Sequence, residues 1–187
     1  AEALSVGPHA RASLPLQPCL RWLREDPTLS GILSSQYSYD FIKRYKMPNK
    51  IVFIPQHHCN FENFIRDRKE IANVGIMGTP AAFKYSLDEV GKKLESIGLK
   101  LMLNFDYQTR EDVVNFYKNI DIQIVWETKY RLLKNPLKII NAASFGIPTV
   151  GYPHKGYKEV DEYYIKAQTI DQLMDEIEKL QNALLQV

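Results

Sequence analysis

Two lysines lie on either side of a predicted helix start. Lys134 and Lys138 flank Pro136 in the segment KNPLKIINAASFG, and proline is favoured at the first position of a helix. Both ammonium groups would then lie near the backbone N–H groups that a helix leaves unpaired at its positive end, where anions bind. This pattern indicates a site for a diphosphate, although two solvated surface charges fit the same spacing.

Four more candidate residues end the predicted strands NVGIMG and IDIQIVW. The backbone amides of Gly78 and Thr79 could approach a phosphate or a sugar. Trp126 could stack on a base, and the carboxylate of Glu127 could bind a hydroxyl. Core packing is an equally good interpretation of the tryptophan, and the glycine spacing is not a dinucleotide fingerprint.

A pair of adjacent histidines, His57 and His58, lies close to Cys59 and Glu62. Adjacent residues in an extended segment point to opposite sides, and this spacing matches no standard zinc pattern. We therefore predict no metal site.

Hydrophobic stretches typical of strands alternate with amphipathic stretches typical of helices. The predicted strands are GILSSQ, KIVFIPQ, NVGIMG, LKLMLNF, IDIQIVW and IPTVGYP. Thr109 is placed to cap one helix, and Gly146 closes the helix that Pro136 opens. This alternation predicts an α/β fold, Rossmann-like, with one open and mostly parallel sheet covered by helices on both faces. Ligands of such sheets bind at the carboxyl ends of the strands.

Composition limits the possible partners. With 24 basic and 22 acidic residues the net charge is +2, which gives no global attraction to nucleic acid, so an anion site must be built locally. The two cysteines form no CxxC pair, which favours a reducing compartment, and we expect a cytoplasmic protein. No stretch reaches the roughly 18–20 apolar residues of a transmembrane segment.

Residues 1–27 differ in composition from the rest. They are rich in Ala, Pro and Leu, and they contain no lysine. We interpret them as a flexible extension, or as sequence added for expression, in front of one domain over residues 28–187. Leu20, Trp22 and Leu23 leave open that this segment packs on the domain as a short apolar anchor.

The segment KIINAASFGIPTV resembles the donor-binding region of GT-B glycosyltransferases, in which a helix of the form xxLxEAxAxGxPV packs below the nucleotide sugar. LSGILSSQYSYDFIKRYKMPNKIVFIPQHHCNFENF is similar to the interdomain crossover of that family, and NVGIMG falls where its C-terminal sheet begins. The similarity runs from about Ser30 to Val160 in the order of the family. The resemblance implies a Rossmann-like C-terminal domain that binds a nucleotide-sugar donor.

This resemblance implies transfer of a sugar from a nucleoside-diphosphate donor to an acceptor hydroxyl, with a nucleotide sugar as substrate and no cofactor. It implies that His57 and His58 line the acceptor side of a cleft, and that Glu159 lies near the ribose. A surface acid at a helix start is an equally good interpretation of Glu159. The family's N-terminal acceptor domain would be missing or supplied by a partner subunit, so we expect the chain to be inactive alone.

The chain also departs from the family pattern. Many retaining members carry two glutamates eight positions apart, where this sequence has Leu133 and Asn141. Asn141 can hydrogen-bond a ribose hydroxyl but supplies no carboxylate, so no catalytic residue is assigned. Two alternatives stay open: half of a nucleotide-sugar epimerase, and a non-catalytic α/β binding or regulatory domain of flavodoxin-like fold.

Overall fold

The computed structural model describes most of the 187-residue chain. The described residues are 25–55, 61, 63–79, 83, 85–126 and 134–184. Three predicted site residues, Glu127, His57 and His58, lie outside these ranges, as do residues 1–24 of the predicted extension.

A small parallel sheet opens the described chain. It consists of β1 (Ser30–Leu33) and β2 (Lys50–Phe53), joined by helix α1 (Gln36–Lys43). The Ser35 side chain caps α1 by accepting a hydrogen bond from the Ser38 backbone N–H at 3.3 Å. These two strands pair only with each other among the described residues, so they form a small sheet apart from the main one.

Residues before β1 contact this small sheet. The Asn49 side-chain amide, buried just before β2, donates to the carbonyl oxygens of Asp26 at 2.9 Å and Leu29 at 3.1 Å. Asp26 in turn accepts from the Thr28 backbone N–H at 2.9 Å. The end of the predicted extension therefore joins the hydrogen bonding of the domain.

Five parallel strands form the main sheet. They are β3 (Asn73–Met77), β4 (Lys100–Asn104), β5 (Ile122–Val125), β6 (Thr149–Gly151) and β7 (Ile165–Lys166). Their order across the sheet is β4-β3-β5-β6-β7. The predicted open parallel sheet is confirmed.

Helices cover both faces of the main sheet. They are α2 (Leu87–Ser96), α3 (Arg110–Asn119), α4 (Leu137–Ser144), α5 (Ile170–Leu184) and a 3-10 helix (Lys155–Val160). Apolar residues of α2 and α5 share one core cluster with the sheet, and those of α3 and α4 share another. No helix in the described ranges is long and apolar enough to cross a membrane.

Predicted helix ends agree closely with the structure. The Thr109 side chain accepts from the Asp112 N–H at 3.1 Å while the Asp112 carboxylate accepts from the Thr109 N–H at 2.8 Å, so a capping box opens α3. Helix α4 ends two residues before Gly146. The sequence predicted Pro136 to be the first helical residue of α4. In the structure Pro136 is the N-cap, and the helix begins one position later, at Leu137.

The strand order places a switch point between β3 and β5. From β3 the chain first adds β4 on one side, and it then crosses to add β5 on the other. In open α/β sheets the crevice at such a reversal, outside the carboxyl ends of the strands, is where ligands bind. The segments after β3 and β5 therefore border the expected site.

A buried carboxylate joins these two strands at their opposite, amino ends. Asp121, only 2% exposed, directly precedes β5 and accepts hydrogen bonds from the N–H groups of Ala72 at 3.0 Å and Asn73 at 2.9 Å. Its other oxygen lies 3.3 Å from Arg68 Nε and pairs with Arg66. These contacts attach the chain leading into β3 to the start of β5.

Asp121→Ala should lower the free energy of unfolding by about 3–5 kcal/mol, because it leaves two arginines and two backbone N–H groups without their buried anion. Urea unfolding measures the loss. Asp175→Ala, an exposed position on α5, is the matched control and should change stability by about 0.5 kcal/mol or less. Equal unfolding midpoints for the two variants would contradict the structural role of Asp121.

Candidate anion-binding site

Lys138 reaches across the switch point. It lies in the first turn of α4, which follows β5, and its Nζ donates to the carbonyl oxygen of Met77 at the end of β3 at 2.9 Å. The same Nζ lies 2.5 Å from the point that a Cβ atom on Gly78 would occupy. Gly78 has φ 133°, a conformation that favours glycine. The absence of a side chain at Gly78 thus leaves room for the ammonium group.

Lys134 meets the start of the 3-10 helix that follows β6. A Cβ atom on Gly156 would lie 2.6 Å from the Lys134 carbonyl oxygen and 3.0 Å from the Lys134 Cβ. Only a glycine permits this approach without a shift of the backbone. The segment before α4 and the segment after β6 are therefore packed together at the carboxyl edge of the sheet.

His154 is a third basic residue at this edge. Its Nδ1 accepts a hydrogen bond from the Gly156 N–H at 3.0 Å, so a neutral ring carries its proton on Nε2. Burial, and then the charge of Lys134, lower the pKa of His154. His154 is not among the residues predicted from the sequence. Its position two residues before Gly156, just after a strand of the sheet, is the signal that could have indicated it.

We define the basic cluster as Lys134, Lys138 and His154. Electrostatic repulsion acts between its members. Burial, followed by the charge of Lys138, lowers the pKa of Lys134 to about 8. The positive end of the α4 dipole adds to the unfavourable potential at both lysines. A negatively charged ligand would relieve these repulsions, and such perturbed groups concentrate at functional sites.

Asn135 caps α4 between the two lysines. Its Oδ1 accepts from the Leu137 N–H at 3.2 Å, and its Nδ2 donates to the Ser34 hydroxyl at 3.3 Å. Pro136, the N-cap residue, has no side chain that could cap the helix. The small sheet, through Ser34 at the end of β1, therefore helps to hold the start of α4.

Glu159 lies on the 3-10 helix and faces α1. Its carboxylate accepts a hydrogen bond from the backbone N–H of Gln36, the first residue of α1. Lys155 adds a cation–π contact, with its Nζ 5.8 Å from the centroid of the Tyr37 ring. Glu159 thus binds a helix start within the chain, and its predicted contact with a ribose stays a prediction.

Two predicted residues lie in the core. Trp126 is 2% exposed and packs between Tyr85 and Tyr152, with ring centroids 5.7 and 5.6 Å away. This is the core packing that the sequence left open. Trp126 Nε1 has no hydrogen-bond partner among the described residues.

Asn141 is buried on α4 and interacts with the Tyr117 hydroxyl. Burial raises the pKa of Tyr117, while the neighbouring side chains of Gln123 and Asn141 act in the opposite direction. In this position Asn141 lies beside a buried hydroxyl below α4.

The structure therefore brings together four of the predicted residues at the switch point. Gly78 and the exposed Thr79 follow β3, and Lys134 and Lys138 frame the start of α4. Within the described ranges no three His, Cys, Asp or Glu side chains are grouped so as to hold a metal ion.

Comparison of the chain with protein-family models, with curated proteins and with solved structures found no match.

Lys134→Met should stabilise the unliganded protein at neutral pH. Folding lowers the pKa of this amine from 10.5 to about 8, so below pH 8 the folded state bears the full cost of holding the proton. We expect the free energy of unfolding to rise by about 1 kcal/mol after allowance for solvent screening. The gain should fade as the pH rises from about 8 to 10.5.

Urea unfolding of both proteins across this pH range measures the effect. Lys179→Met is the control, because the hydrogen bond that Lys179 donates to Glu176 raises the pKa of Lys179, and removal of this lysine should bring no stabilisation. A Lys134→Met variant that is less stable than the wild type at neutral pH would contradict the destabilisation of Lys134 by burial and by the charge of Lys138.

Gly78→Ala should weaken both folding and anion binding. At φ 133° an alanine is strained, which costs about 1–3 kcal/mol, and its Cβ would displace Lys138 Nζ. Gly98→Ala is a matched control, since Gly98 has φ 79° and nothing within 4 Å of its Cβ position. Both variants should lose stability, and only Gly78→Ala should lose affinity for inorganic diphosphate. Equal affinities of the two variants for inorganic diphosphate would show that Gly78 is not part of the site.

Proposed function

We propose that this domain binds the diphosphate of a nucleoside-diphosphate sugar and acts as the donor-binding part of a glycosyltransferase. The observation that carries the proposal is the convergence of Lys134 and Lys138 at the switch point, at the positive end of α4. Helix-end N–H groups and cations together suit a phosphorylated ligand.

The two lysines fit a group with more than one negative charge. Each ammonium group repels the other in the unliganded protein, and Lys138 is also held at the end of β3. In sugar transfer, negative charge grows on the diphosphate as its bond to the sugar breaks. Fixed cations and backbone N–H groups at that position stabilise the developing charge more than the starting state, which lowers the barrier.

The proposal assigns donor binding and no catalytic base. Asn141 takes the place of a family glutamate and is buried against Tyr117. A nucleotide-sugar epimerase would use the same diphosphate site, so it remains an alternative within this proposal. For both enzymes we expect the domain to bind a nucleoside diphosphate more tightly than inorganic phosphate.

A non-catalytic binding or regulatory domain is the second candidate. The order β4-β3-β5-β6-β7 is also the order of flavodoxin-like sheets, which favours this alternative. Such a module, acting through protein contacts, predicts no preference for a nucleoside diphosphate over inorganic phosphate. Calorimetric titration with both ligands separates the two candidates.

Lys138→Ala should weaken binding of a nucleoside diphosphate by roughly tenfold to a hundredfold, because a charge-assisted contact to phosphate contributes about 1.5–3 kcal/mol. Lys134→Ala should have a smaller effect. Lys179→Ala on α5 removes an equal charge far from the switch point, where Lys179 pairs with Glu176 at 2.7 Å, and it should bind like the wild type. Equal affinities for Lys138→Ala and Lys179→Ala, with both variants folded, would refute the proposed site.

A further inference from the structure

Four buried polar side chains lie between the main sheet and the helices that cover one of its faces. Tyr117 of α3 and Gln123 of β5 have no exposed surface, while Thr149 of β6 is 3% exposed and Asn141 of α4 is 6% exposed. We call these four residues the internal polar cluster. Bulk water does not reach them, so their polar atoms need hydrogen-bond partners inside the protein.

The strand register places two members of the cluster side by side. Gln123 and Thr149 are register partners on neighbouring strands, so their side chains project from the same face of the sheet. The residues next to them along the strands, Ile122, Ile124 and Val150, belong to the core cluster that α2 and α5 share with the sheet. Gln123 and Thr149 therefore face the opposite layer, which contains α3 and α4.

That layer supplies the other two members. The ring of Tyr117 stacks on Phe145, with ring centroids 5.2 Å apart. The side chains of Gln123 and Asn141 lie close enough to the Tyr117 hydroxyl to act on its pKa against the effect of burial. Asn141 lies about one helical turn after Lys138 on α4. The cluster therefore lies where α3, α4 and the sheet meet.

Direct contacts leave most of this cluster without hydrogen bonds. The Tyr117 hydroxyl, the Thr149 hydroxyl and both polar side-chain atoms of Gln123 are buried, and none of them has a hydrogen-bond partner among the described residues. An unpaired buried group bears the full cost of its removal from water. Native proteins keep few such groups, so four unpaired atoms in one cluster indicate a partner that they share.

We propose that the internal polar cluster binds one structural water molecule. A water molecule can donate and accept hydrogen bonds, and the cluster offers both kinds of group, in the Gln123 amide and in the two hydroxyls. Polar groups that lie close together without a direct hydrogen bond are often bridged in this way. A metal ion is not favoured, because the cluster contains no carboxylate, thiolate or imidazole.

Such a water would connect the sheet to the helices that cover it. An internal water makes about three hydrogen bonds, and the four members of the cluster come from α3, β5, α4 and β6. The cluster lies below α4, whereas the candidate anion-binding site lies at the start of this helix. The inference therefore does not rest on the proposed function, and either can fail without the other.

Magnetic relaxation dispersion of water in solutions of the full chain tests the inference, because it counts water molecules that stay bound for longer than the protein takes to tumble. Gln123→Met with Thr149→Val removes two of the polar side chains with little change in volume, and it should lower the count by about one. Thr149→Ser keeps the hydroxyl and should keep the wild-type count.

A matched control removes the same polar groups from exposed positions. Gln168→Met with Thr28→Val should leave the count unchanged, and circular dichroism should show that all variants are folded. A crystal structure of the wild type gives a second measurement that needs no variant. It should show density for a water molecule within hydrogen-bond distance of about three members of the cluster.

Three results would overturn the inference. The first is an equal count of long-lived waters in the wild type and in Gln123→Met with Thr149→Val. The second is a crystal structure in which the four side chains hydrogen-bond directly to one another. The third is density at this position for a side chain from outside the described ranges, which would give the polar atoms a partner within the chain.

Discussion

The buried carboxylate of Asp121 determines where β3 and β5 begin relative to each other. It lies directly before β5 and accepts hydrogen bonds from the two backbone N–H groups at the start of β3. Arg66 and Arg68 balance its charge. Because strands have a fixed rise per residue, this alignment at the amino ends also sets the height at which β3 and β5 end. The position of Lys138 above Gly78 depends on that alignment.

The candidate site is built at some expense of stability. Three basic residues converge where a helix already presents its positive end, and burial lowers the pKa of two of them, Lys134 and His154. Evolution towards stability alone would disfavour this arrangement, because like charges brought together where burial limits their solvation repel each other. Their convergence has a physical rationale if the usual state of the site includes an anion, whose charge offsets the repulsion.

The small sheet and the main sheet meet at the loops that carry this site. Ser34 contacts Asn135, Gln36 contacts Glu159, and Tyr37 contacts Lys155. The three residues on the side of the small sheet lie between the end of β1 and the first turn of α1. Their partners lie after β5 or β6. The start of α4 is therefore held from two sides, by its own sheet and by the carboxyl end of β1.

The sequence by itself determined the elements and their order. Hydrophobic periodicity indicated six of the seven strands, and the cap at Thr109 was confirmed, because these signals depend on neighbours within one or two turns. Strand β7, of two residues, was too short to carry a period. The separation of β1 and β2 into their own sheet, the reach of Lys138 to Met77, the inclusion of His154 and the burial of Trp126 were decided only by the tertiary structure. Each of these features depends on which strands pair and on how closely the loops approach one another. Such contacts join residues that are far apart in the chain, so no local sequence pattern predicts them.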